Sequence, residues 1–155
     1  MWRTSRGYTA GMRGARDDRA ETPRALGDEV SRLSLLALLE EAVDAAEKAD
    51  ILLARCDDID VTTAADARQA LRLRVTFAEL HRWVDELDLD GREAEVRDEA
   101  ARLLAFYLHL LTHAFDRRIA AAGHDRRAIR QRGPLTGAPC ARLTTLRERV
   151  SSWVR

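Results

Sequence analysis

LLAFYLHLLTHAF, residues 103–115, decides how the chain folds. Its apolar side chains point nearly all round a helix, and His109 and His113 stand four residues apart within the run. A helix that is apolar over most of its circumference is central to a core or lends a face to something else. Two histidines at that spacing share one helical face and bind a metal when further ligands converge on them. Placing residues 98–116 on a helix resolves the choice. Asp98, Arg102, Ala105, His109, Thr112, His113 and Asp116 then form one stripe, the only polar one, so the histidines lie on the wet edge of a core helix. Metal sites inside bundles take several Glu and His from facing helices, commonly as Glu-x-x-His. That motif is absent from the chain, and His81 and His124 bring no partner pattern. No cofactor and no functional metal are expected.

Working outward, the pattern predicts three more helices. The first runs from Asp28 or Ser31 to Cys56, with Leu35, Leu38, Leu39, Ala42, Val43, Ala46, Ala49 and Leu53 recurring on one face. Glu40, Glu41, Asp44 and Glu47 fall largely on the other side. Thr63 with Asp66 has the spacing of a capping box, which opens a second helix reaching about Asp88. Its stripe is Ala67, Ala70, Leu73, Phe77, Leu80, Val84 and Leu87. DLDG, residues 88–91, is a stop signal. The central helix spans about Arg92 to Ala122 and ends at Gly123, and a basic connection leads to a last helix over Ala141–Arg155. Residues 1–27 mix Gly, Arg and polar side chains without helical periodicity and read as a flexible tail.

The expected fold class is therefore all-α: a four-helix bundle over residues 28–155 with an N-terminal tail over 1–27. The expected core contains Leu39, Phe77, Leu80, Val84, Phe106, Leu110, Leu146 and Trp153. A chain of 155 residues is one ordinary domain, and Ala, Leu, Arg, Asp and Glu are good helix formers while β-branched runs are missing. Cys56 and Cys140 share no metal or disulfide spacing, which fits a reducing cytosol, and no stretch is long and apolar enough for a signal peptide or a membrane span. A cytoplasmic protein with no membrane partner is expected.

Net charge is zero, yet residues 28–66 hold 11 acids against 3 bases and residues 117–155 hold 10 arginines against 2 acids. An internal attraction between the acidic first helix and the basic C-terminal arm explains this better than an anionic partner, since overall neutrality disfavours phosphate binding. Nucleic acid is not the expected partner.

Catalytic signatures are scarce. No nucleophile has a recognisable base beside it in sequence, and no glycine-rich phosphate loop occurs. Arg102 and His109 have the Arg-x6-His spacing of helical HEPN-type ribonucleases, but Arg74 and His81 repeat it, and Leu103 replaces the polar residue those enzymes carry after the arginine. A non-catalytic binding protein is expected, with a HEPN-like ribonuclease or an arginine-mediated nucleic-acid binder as the lesser alternatives.

Residues 35–116 resemble the flagellar export chaperone FliS family. FAELHRWVDEL (77–87) is similar to the end of that family's second helix. LLAFYLHLLTHAF (103–115) is similar to its third-helix motif, with Phe106, Leu111 and Ala114 at matching positions, and LRERVSSW (146–153) to its terminal motif. LLEEA (38–42) stands where the family has another motif, and Phe115 replaces its closing asparagine. The resemblance implies a helical chaperone that holds the disordered C-terminal segment of flagellin in grooves of the bundle. The excess apolar surface of the third helix places the expected partner-binding residues at Leu103, Phe106, Tyr107, Leu110 and Leu111. A homodimer, or the N-terminal tail, is the alternative occupant of that face.

Overall fold

The computed structural model describes residues 18–56, 63–121 and 138–154, with side chains placed in 27–56, 63–114 and 138–154. They form four helices: α1 Asp18–Cys56, α2 Ala64–Asp85, α3 Gly91–Ala121 and α4 Ala138–Val154. There is no strand among the described residues. The fold is an all-α four-helix bundle, as the periodicity predicts.

Helix α1 is the hub and packs on the other three helices. That role explains its wide buried face, which includes Leu35, Leu39, Ala42, Val43, Ala45, Ala46, Ala49, Leu52 and Leu53. Alanines at four of these positions let neighbouring backbones approach closely. Glu40, Glu41, Asp44 and Glu47 are exposed, so the expected partition of the two faces is met. The helix starts ten residues before the expected Asp28, taking in residues 18–27 of the segment read as a tail; residues 1–17 lie outside the described part. Residues 27–30 are all exposed, which is why no apolar period marks them. Once a helix is nucleated, adding residues at its end needs no tertiary contact, only helix-compatible side chains.

Helix α2 opens on the predicted capping box. Thr63 donates its backbone N–H to Asp66 Oδ2 at 2.7 Å, and the Asp66 N–H donates to Thr63 Oγ1 at 3.3 Å. Asp66 is also within 3.8 Å of Arg55 Nη1, which ties the last turn of α1 to the first turn of α2. Replacing Asp66 by alanine removes the cap acceptor and this tie. The expected loss is about 1–2 kcal/mol in urea unfolding, the usual cost of a lost cap. An unchanged midpoint would show that the box contributes nothing.

The helix ends at Asp85, and the chain turns through 86–90 into α3. Leu89, read only as part of a stop signal, plugs this end of the core at 8% exposure. Gly91 takes φ +56, a left-handed conformation that L side chains rarely adopt. Carbonyl Asp90 then accepts from the N–H groups of Glu93 and Ala94 as α3 begins.

On α3 the inward stripe is Val96, Ala100, Leu104, Tyr107 and Leu111, all fully buried. The flank beside α2 is marked by Arg97, whose Nη1 donates to the Leu87 carbonyl at 2.9 Å. The flank beside α4 is marked by the Glu99–Arg142 ion pair and by Arg92, 5.1 Å over the Trp153 ring. Helix α4 starts three residues before the expected Ala141, because Pro139 falls in its first turn, where a missing N–H costs nothing. It leans mainly on α1 through Leu143, Leu146 and Val150, and packs far less extensively on α3.

Of the expected core, Leu39, Phe77, Leu80, Val84 and Leu146 are buried. Leu110 and Trp153 are half-buried and pack against the core from its edge. Phe106 is a correction: it is half-buried and lies outside the core, and Tyr107 occupies the inward position. Adjacent residues differ by about 100° around a helix, so only one of the two can point in. Tyr107 wins because its ring stacks on Phe77, with centroids 4.9 Å apart and planes 4° from parallel, while its hydroxyl finds a partner.

Candidate partner-binding face

The hydroxyl of Tyr107 donates to Asp50 Oδ1 on α1 at 3.0 Å. Cys140, in the first turn of α4, borders the same spot, and α1, α3 and α4 thus meet around one buried phenol. Burial pushes the Tyr107 pKa far above its usual value, and the charge of Asp50 and its hydrogen bond act in the same direction. The Cys140 thiol is raised by burial first and then by Asp50 and Glu47. Both groups therefore stay protonated, and a protonated thiol is a poor nucleophile. The cluster fastens α1, α3 and α4 to one another.

Its pH consequence has a definite sign. A phenol whose folded pKa is raised holds its proton after the unfolded chain has lost its own, near pH 10. The stabilisation is full below pH 10 and declines as the pH rises above it. Wild-type stability should fall between pH 10 and 11.5, and this slope should flatten in Tyr107→Phe, as urea midpoints across that range will show. Equal slopes in the two proteins would remove Tyr107 as the cause.

The five residues expected to bind a partner separate into two sets. Tyr107 and Leu111 are fully buried against the bundle's own helices and cannot form an outer surface, which corrects their assignment. The reason is again the register: they belong to the stripe of Val96, Ala100 and Leu104. Leu103, Phe106 and Leu110 are half-exposed, at positions i, i+3 and i+7 on the flank that looks toward α4. By helical register they follow Glu99, the ion-pair partner of Arg142 in α4, and form a short, half-exposed apolar ridge on that side of α3.

Beside the ridge runs the polar stripe. Asp98, Arg102, Ala105, His109 and His113 are exposed, and Thr112 is half-buried with its hydroxyl on the Leu108 carbonyl at 2.8 Å. The histidines occupy the wet edge, as the helical placement predicts. No group of three or more His, Cys, Asp or Glu able to hold a metal occurs among the described residues.

At the far end of the seam, Trp153 has Arg92 at 5.1 Å and Arg149 at 5.5 Å from its ring centroid. Arginine over indole is a favourable cation–π contact, and here it anchors the end of α4. Glu40 of α1 and Arg147 of α4 line one cleft, with Leu36, Glu148, Ser151 and Ser152. The ion pair of Arg142 goes to Glu99 of α3. The arginines between 117 and 132 lie outside the described side chains. Among the described residues no histidine lines the cleft, and Ser152 Oγ donates to the Arg149 carbonyl at 2.6 Å.

Comparison with known proteins finds no family model, no curated protein and no solved structure that matches this chain. No described helix is long and apolar enough to cross a membrane.

Proposed function

We propose that this bundle is a non-catalytic binding protein that accepts an amphipathic or disordered segment of a partner protein along the α3–α4 seam. The observation that supports it is the ridge of Leu103, Phe106 and Leu110, half-exposed on α3, on which α4 packs only over a small contact. Helical segments dock on such ridges through anchors at i, i+3, i+4 and i+7. Tyr107, next to Phe106 on α3, is held by its stack on Phe77 and its hydrogen bond to Asp50, which fixes the helix carrying the ridge and lowers the ordering cost of binding.

Within this reading the resemblance of residues 77–87 and 103–115 to flagellar export chaperones supports flagellin's C-terminal segment as the partner. A cytoplasmic location follows from that role. The test is binding of a flagellin C-terminal peptide to the purified full chain, read by fluorescence anisotropy, with sedimentation of the protein alone alongside. Peptide binding supports the chaperone. Self-association with no peptide binding moves the seam to a homodimer interface. If neither occurs, and RNA cleavage appears and is lost in Arg102→Ala and His109→Ala, the reading is wrong and a ribonuclease replaces it.

A further inference from the structure

The exposed stripe of α3 carries a feature that partner binding does not use. The rings of His109 and His113 lie with centroids 4.1 Å apart and planes at 68°, edge against face, and both are exposed. They are one helical turn apart, so both Cβ atoms leave the same side of the helix and both imidazoles can aim a nitrogen at one point above it. Because both rings are in water, small rotations that bring the nitrogens together cost little packing.

Against the expectation of no functional metal, which concerned a core site with ligands from facing helices, we propose that His109 and His113 form a two-point surface chelating site for a borderline divalent transition cation, with zinc, nickel and copper as its class. Imidazole nitrogens bind these ions at about 2.0–2.1 Å, whereas magnesium and calcium prefer oxygen ligands. Among the described side chains, the Thr112 hydroxyl between them is committed to the Leu108 carbonyl at 2.8 Å, and Arg102 stands seven residues before His109 on the stripe. Two protein ligands leave the remaining coordination positions to water or to side chains of another molecule. The ion is therefore exchangeable, taken up from solution rather than built into the core. This inference does not depend on the partner-binding reading.

The experiment uses the full chain without an affinity tag, treated with chelator and dialysed, then titrated calorimetrically with zinc or nickel chloride. One cation should bind per chain. His109→Ala and His113→Ala should each weaken it at least about tenfold, because losing one imidazole ends the chelate advantage of the other. His81→Ala, on α2, should leave the affinity unchanged. With copper, electron paramagnetic resonance should show coupling to imidazole nitrogen that disappears in the double variant. One cation per two chains, lost in the same variants, also supports the site, with a second copy supplying the open positions. Both histidines are exposed, so the variants should keep the wild-type helical circular dichroism. The inference is overturned by no uptake, by uptake that survives both single substitutions, or by an equal response to magnesium.

Discussion

Replacing Phe77 by alanine should lower the unfolding free energy by about 3–5 kcal/mol, the range for deleting a buried aromatic ring. Phe77 is fully buried near the middle of α2, and its ring lies flat on Tyr107 of α3. Two losses combine. The apolar ring is removed from a packed site, and Tyr107 loses a stacking partner worth about 0.5–1.5 kcal/mol beyond area burial. Since domains are stable by about 5–15 kcal/mol, the change takes a large share of the total. Tyr107 cannot follow into the cavity, because its hydroxyl is held by Asp50 at 3.0 Å. A void that cannot collapse falls at the costly end of the range. Urea unfolding with an unchanged m-value measures the loss. A value below about 1 kcal/mol would mean that Phe77 is not a core residue in solution.

Phe77 was legible in the sequence, and Tyr107 shows why the rest of the core was less so. The second helix keeps its apolar residues at three–four spacing on one face, and although Leu71, Val75 and Trp83 stand exposed outside that stripe, the unbroken period of the stripe marks the buried face. Ala70, Leu73, Phe77, Leu80 and Val84 are all buried. In 103–111 nearly every position is apolar, and periodicity loses its power to choose. Polarity alone places phenylalanine inside and tyrosine at the rim. The decisive partner, Asp50, lies 57 residues away on another helix, and no local pattern announces it.

The capping box at Thr63 and Asp66 was visible because its geometry is local. The start of α1 was not, since exposed residues without an apolar period carry no signal that separates helix from tail. Leu89 was missed for a related reason. A single leucine between aspartates looks like loop chemistry, and its burial depends on how α2 and α3 close over it. At the candidate site the pair His109 and His113 was placed correctly by spacing alone, whereas the split of five candidates into Leu103, Phe106 and Leu110 outside and Tyr107 and Leu111 inside needed the register of α3 against its neighbours.

That split gives the functional reading its sharpest consequence. Phe106→Ala should change stability by less than about 1 kcal/mol, because the ring is half-exposed and outside the core. The same substitution should weaken partner binding by about 2 kcal/mol or more, roughly 30-fold, as truncation of a central aromatic anchor does at interfaces. The two effects must move apart. A residue that serves the fold loses stability when truncated, and one that serves an interface loses affinity. Phe106 is the largest side chain on the ridge, with Leu103 and Leu110 on either side to exclude water from it. Leu103→Ala and Leu110→Ala should each weaken binding less, since flanking contacts around an anchor are commonly near neutral. Anisotropy with the flagellin C-terminal peptide, or the dimer constant if the chain self-associates, gives the affinity arm, and urea unfolding gives the stability arm. A loss of 3–5 kcal/mol in stability with unchanged affinity would return Phe106 to the core, in the range set by buried rings. It would also remove the ridge on which the binding reading rests.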